Sequence, residues 1–289
     1  MEVSGIDNVR VCPTPRRLFS NVFASDDDVL FGIDFDGHAN AAMISTVLDA
    51  VPNSHRLTHR VYESDSVDDV SADMADYPSA CTEAANPIRP EDTYVFVYTG
   101  HAAKLVGTDI RALAPTAGTL VYSSDLLSWF GGDEWQDVNK IFVLDSCYAG
   151  GIGEDLLTLS NTAVFGACLA NEETAWDLDN LSMFSKIFRD AIAMDGDGFT
   201  FDTNGNGLSI AELAAALGSR FELGGGWEGT LLDELKGISP HLYAQWSSDV
   251  DPSETWLVPE PATLSLLALG GLAVIRKRRQ SDSRTGALS

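Results

Sequence analysis

The sequence predicts an α/β protein: a mostly parallel central sheet covered by helices on both faces, with a hydrophobic segment at the carboxyl end. Short, continuous apolar runs such as "VLFGIDF" (29–35), "TYVFVYTG" (93–100) and "KIFVLDS" (140–146) have the pattern of strands buried on both faces. They alternate with stretches of helical character, the order that parallel strands need for their crossovers. The chain has 289 residues and is 45% hydrophobic, enough for one substantial core.

In chain order, residues 1–27 read as a polar, irregular segment, and the acidic run Asp26–Asp28 closes it. "VLFGIDF" is expected to be the first strand, followed by a helix over 38–50. "HRLTHRVYE" (55–63) is the second strand and 66–77 a polar helix. The third strand, 93–100, is rich in β-branched and aromatic residues and stops at Gly100. A short strand and a helix capped by Ser or Asp fill 119–130. Strands at 140–146 and 162–170, then helices at 181–193 and 208–220, complete the domain. Its expected bounds are 28–246, with 247–257 as a linker.

The formal charge of −25 excludes a phosphate-binding surface and hence a nucleic-acid partner. It suits solubility and attraction of cations. Cys12, Cys81, Cys147 and Cys168 have none of the close paired spacings of zinc sites. Cys168, in "AVFGACLA", reads as a small core residue.

Two strands run into reactive groups: 93–100 into His101, and 140–146 into Cys147. In sheets of this kind chemistry gathers beyond the carboxyl ends of the strands. A cysteine nucleophile needs a base to form its thiolate, and histidine is the usual one. Gly100 lets the chain turn, while Gly150 and Gly151 let backbone N–H groups approach a substrate carbonyl. The N–H of Cys147 and one from the loop of His101, at Ala102, would make an oxyanion hole. Asp145, two residues before the thiol, would receive a basic substrate side chain.

"MDGDGFTFDTNGNGLSIAEL" (194–213) sets Asp202, Asn204 and Asn206 at alternate positions before Gly207, like the start of an EF-hand loop for Ca²⁺. Its closing acid, Glu212, is the eleventh residue where a twelfth is required, so Asp195 or Asp197 would have to help. The competing reading is an Asx- and Gly-rich turn into a helix capped by Ser209.

"VPEPATLSLLALGGLAVIRKRRQ" (258–280) joins an apolar stretch, 262–275, to four cations, Arg276 to Arg279. As a helix the stretch is about 21 Å long, short for a full membrane span, and the cations would stay on the cytoplasmic side. Residues 281–289 are a polar tail. The first 28 residues hold no apolar core of a signal peptide, so for an exported chain a true start upstream would be expected.

"YVFVYTGHA" followed 46 residues later by the Cys of "KIFVLDSCYAGG" resembles the two catalytic motifs of the caspase–metacaspase clan of cysteine peptidases. "VLFGIDFDGHANAAMISTVL" resembles that family's first strand and helix, so the likeness runs over about 28–220. The resemblance implies a caspase-like three-layer sandwich and a cysteine endopeptidase, with His101 as general base and acid and Cys147 as nucleophile. Asp145 matches the acid with which metacaspases hold Arg or Lys at P1, whereas true caspases use arginines to hold Asp. Legumain-like cleavage after Asn is the alternative within the clan, and an inactive, surface-displayed binding module the alternative outside enzymes. The sequence departs from the family at Ala102, usually Gly, and at Ala149, usually Ser. No cofactor is required for such chemistry, although calcium activates many metacaspases. The carboxyl end resembles the PEP-CTERM sorting signal, with Pro259, Glu260 and Pro261 as its motif. That implies an exosortase-type partner, contact with the membrane, and a place in the bacterial cell envelope. A protein or peptide is the expected substrate.

Overall fold

A six-stranded sheet divides the domain into two layers. The computed structural model describes residues 16–25, 36–51, 54–62, 70–83, 87–116, 118–174, 181–195, 198–222 and 241–257. In chain order the elements are β1 (Leu18–Ser25), α1 (Gly37–Ala50), β2 (Ser54–Tyr62), α2 (Val70–Glu83), β3 (Thr93–Thr99), β4 (Ala102–Lys104), β5 (Arg111–Thr116) and β6 (Thr119–Tyr122). Then come α3 (Ser123–Phe130), β7 (Asn139–Asp145), α4 (Ala149–Leu156), β8 (Thr162–Gly166), α5 (Met183–Ala191), β9 (Met194–Asp195), β10 (Gly198–Phe199), β11 (Leu208–Ser209), α6 (Ile210–Glu222), β12 (Tyr243–Trp246) and β13 (Thr255–Leu257). The sheet order is β12-β8-β7-β3-β1-β2, parallel except for β12.

Strand alternation sorts the core. Val95, Val97, Ile141 and Val143 face the layer of α1, α5 and α6. Tyr94, Phe96, Phe142 and Leu144 face that of α2, α3 and α4, where Phe130 meets Phe96, Phe142 and Trp135 edge-on. At the sheet's amino end, Asp92 accepts from Arg17 and Arg89, clamping the starts of β1 and β3 together. The small antiparallel sheet β4-β5-β6 stands at the opposite end.

Three expectations need correction. β1 lies inside the stretch 1–27 expected to be irregular, while the expected strand 29–35 falls outside the described residues. Ser20, Asn21 and Ser25 are fully buried in β1, and their polarity interrupts the apolar run by which the other strands are recognised. α2 is displaced along the chain from 66–77, because Val70, Met74, Pro78 and Cys81 make its buried stripe. Residues 247–257 are not a free linker: β13 pairs with β11, and Trp256 and Leu257 are 2% and 3% exposed. Thr93 donates to the carbonyl of Trp256 at 2.8 Å, and Arg16 pairs with Glu254. The apolar burial of Trp256 holds this segment on the domain.

Candidate active site

The parallel pairing of β3 with β7 places Thr99 opposite Asp145. His101 and Cys147 each follow two residues later, beyond the same row of the sheet. The N–H of Gly100 donates to the carbonyl of Asp145 at 2.9 Å, so the two strand ends are tied where the reactive residues begin. Gly100 has φ +151°, and a Cβ there would lie 2.6 Å from that of Ser25. Only glycine makes this turn against β1. His101 is 3% exposed, and its carbonyl accepts from the Tyr98 hydroxyl at 2.7 Å and the Ala114 N–H at 2.9 Å. Those bonds hold its backbone between β3 and β5. Ala102 opens β4.

After Asp145 the chain bends at the buried Ser146 and enters α4 through Tyr148, whose φ of 59° is left-handed. This takes Cys147 off the strand's alternation. Its thiol is not in a disulfide; it is half-buried and within electrostatic reach of Tyr98 and Cys168. α4 starts two residues later, bringing the positive end of its dipole close to the thiol. Gly150 and Gly151 do not serve as expected: their N–H groups donate to the carbonyls of Cys168 and Tyr148. They are glycines for packing. A Cβ at Gly150 would lie 2.8 Å from the Ala170 nitrogen, and one at Gly151 would overlap the Arg111 side chain.

Asp145 is 1% exposed and faces the α1–α5 layer. Thr99, at 3.1 Å, and Ser185 both donate to its Oδ2, while Oδ1 has no hydrogen-bond donor among the described residues. Burial lifts the pKa of this carboxyl above its ordinary value, against the opposing pull of the Ser182, Ser185 and Thr99 hydroxyls. Ser182 and Ser185 sit at the start of α5, and Asn40 of α1 accepts from the Ser182 N–H. None of these supporting hydroxyls stood out in the sequence, because serine and threonine are ordinary helix-start residues. Tyr98 and Cys168 were hidden as well, each reading as simple core.

The loop of Asp202, Asn204, Asn206 and Glu212 closes on itself through side-chain to backbone hydrogen bonds. Asp202 accepts from the N–H groups of Asn204, Gly205 and Gly207, and Asn204 from that of Asn206. Both oxygens of Glu212 accept, one from Thr203 and one from Ser209, and Asn206 accepts from Thr255. Burial would raise the pKa of Glu212, but the Thr203 and Ser209 donors outweigh it and hold it at about 2. These oxygens are thus held by donors of the loop itself and of Thr255. Among the described residues, no group of three or more His, Cys, Asp or Glu side chains is placed to hold a metal ion. No helix among them is long and apolar enough to cross a membrane. Pro259, Glu260, Pro261 and the expected span 262–275 lie outside the described residues.

Residues 257–279 match the model of the PEP-CTERM protein-sorting motif. The motif marks the chain for export and sorting to the bacterial cell envelope. No curated protein matches the sequence. Among solved structures the fold is similar to that of caspase-1 from Spodoptera frugiperda, at 11% identity and a TM-score of 0.53 over 80% of this chain and 86% of that one. The chain thus has a caspase-like fold.

Proposed function

We propose that this caspase-like domain is a cysteine endopeptidase cutting protein chains after Arg or Lys, with Cys147 as nucleophile and His101 as general acid and base. The observation that carries the reading is the shared register row: Thr99 and Asp145 are partners, so the histidine and the thiol leave neighbouring strands at the same step. The Cys147 sulfur attacks the carbonyl carbon of the scissile bond. The N–H groups of Cys147 and Ala102 receive the oxyanion, and His101 passes a proton to the departing amine. Water, deprotonated by His101, then hydrolyses the thioester. A basic P1 side chain is favoured by Asp145, whose uncommitted Oδ1 is a buried carboxylate oxygen suited to a guanidinium or ammonium group. The sorting motif supports an exosortase-type partner. No step depends on a metal.

The test uses the full-length protein with fluorogenic peptides carrying Arg, Lys, Asn or Asp at P1, beside Cys147→Ala. Cleavage after Arg and Lys, falling on the order of a thousandfold or more in the variant, is expected. Cleavage after Asn or Asp would keep the two catalytic residues and overturn the reading of Asp145. A folded protein that cuts none of them would point to a binding module on the same fold.

A further inference from the structure

Cys168 is fully buried in the core layer of α2, α3 and α4, and its sulfur also meets polar backbone groups. The sulfur lies 3.3 Å from the carbonyl oxygen of Ser146 and 3.2 Å from that of Glu172, either of which can accept its one proton. The backbone N–H groups of Ala149 and Tyr148 also point at it. The sulfur is therefore enclosed by residues 146, 148 and 149, and Cys147 is the residue of that loop which spans it. Two bonds zip the segments together: Tyr148 N–H to the carbonyl of Glu172 at 2.9 Å, and Gly150 N–H to that of Cys168 at 3.0 Å.

We infer that Cys147 and Cys168 are an oxidisable pair, in which a peroxide converts the Cys147 thiolate to a sulfenic acid and the Cys168 thiol closes a reversible disulfide with it. The inference rests on Cys147 being the nucleophile proposed above. In the first step the thiolate attacks one oxygen of hydrogen peroxide, the O–O bond breaks, and hydroxide leaves. In the second, the Cys168 sulfur attacks the sulfur of Cys147–SOH, and the displaced hydroxyl departs as water with the Cys168 proton. Two electrons from a dithiol reverse the process.

Geometry and chemistry divide the roles. Cys147 is half-exposed and reaches solvent peroxide first, whereas Cys168 is closed off. Burial pushes the Cys168 thiol well above its ordinary pKa, so it waits as a protonated thiol and is not itself the target. β7 and β8 are parallel neighbours, and beyond their ends the Cys168 sulfur lies 3.3 Å from the carbonyl oxygen of Ser146, the residue before Cys147. Both cysteines lie beyond the strand ends, so the bond forms between turns and not within the sheet. Without a partner thiol a sulfenic acid goes on to the sulfinic acid, which thiols do not reduce. The sorting motif directs the chain out of the reducing cytosol, where this protection is useful.

Full-length protein would be treated with a few equivalents of hydrogen peroxide, then assayed and peptide-mapped without reduction. Expected are a cross-link between the peptides of Cys147 and Cys168, at least about a tenfold loss of peptide cleavage, and recovery to within about twofold on adding dithiothreitol. Cys168→Ser should lose activity permanently and gain two oxygens at Cys147. The wild-type map does not depend on how well that variant folds. Sulfinic acid at Cys147 without the cross-link, or Cys168 recovered unmodified, would overturn the inference. A protein inactive before treatment that still forms the cross-link would sink the peptidase reading and leave the pair standing.

Discussion

Replacing Asp145 by asparagine separates what this residue does for the fold from what it does for the substrate. Asparagine keeps a carbonyl oxygen for the Thr99 and Ser185 hydroxyls, so those two contacts survive. It removes the buried charge. Because burial raises the folded pKa of Asp145 above that of the unfolded chain, the native state keeps its proton where the unfolded state has lost it. Stability then falls as pH rises from the ordinary carboxylate range through the raised folded pKa. The Asn variant escapes that loss, so its melting temperature at pH 7 relative to pH 4 should drop less than the wild type's. Asp145→Ala should instead lose about 2 kcal/mol, since two buried hydroxyl donors at about 1 kcal/mol each go without their acceptor. For the substrate the charge is decisive: losing one partner of a buried ion pair costs about 2–5 kcal/mol. Cleavage after Arg should fall by about 30- to 5,000-fold in kcat/KM. In the wild type KM for Arg peptides should climb as pH falls and Asp145 takes up its proton, and the Asn variant should lack that arm. Thermal melts at the two pH values, beside kinetics on Arg peptides, make the assay. An Asn variant keeping kcat/KM for Arg peptides within about threefold would refute the reasoning, because a lost buried pair is worth more than that.

Tyr98→Phe removes the hydroxyl that holds the carbonyl of His101 but leaves the Ala114 bond in place. It should cost about 1 kcal/mol of stability and lower kcat about tenfold with KM little changed, as melting and steady-state kinetics would show. Burial alone would raise the pKa of Asp92, yet its bonds from Arg89 and Arg17 hold it at about 2, against an ordinary value of 3.8. Its stabilisation is present above the ordinary value and should be lost, to about 2 kcal/mol, as pH falls towards 2. Asp92→Asn should cost about 3–5 kcal/mol at neutral pH and flatten that acid limb in denaturant titrations. Trp256→Ala should free β13, so that limited proteolysis cuts within 247–257 while peptide cleavage at the active site is unchanged.

The central strands were legible because their cores are nearly pure hydrocarbon: β3 and β7 could be placed, and with them His101 and Cys147. β1 was not, since Ser20 and Asn21 occupy its middle and are recognised as interior residues only once the neighbouring strands enclose them. β12 and β13 are too short to show a period, and tertiary pairing defines them. The alternate oxygens of 202–206 were plain in the sequence. That Glu212 accepts from Thr203 and Ser209 was not, since those bonds depend on how the loop closes on α6. Gly150 and Gly151 were noticed, but the Arg111 and Tyr243 side chains that require them come from elsewhere in the chain. The setting of Cys168 was invisible for the same reason.

The sorting motif begins at Leu257, the last residue of β13, and the carbonyl of Trp256 is fastened to Thr93 at the first residue of β3. His101 follows the far end of that same strand, about 20 Å away at the rise of a seven-residue strand. The domain therefore has a mooring pole and a working pole. The residues proposed as catalytic thus lie at the opposite end of β3 from the point where the motif leaves the domain. On the proposed function, a chain sorted through its motif would meet its substrates at the pole away from the one by which it is handled.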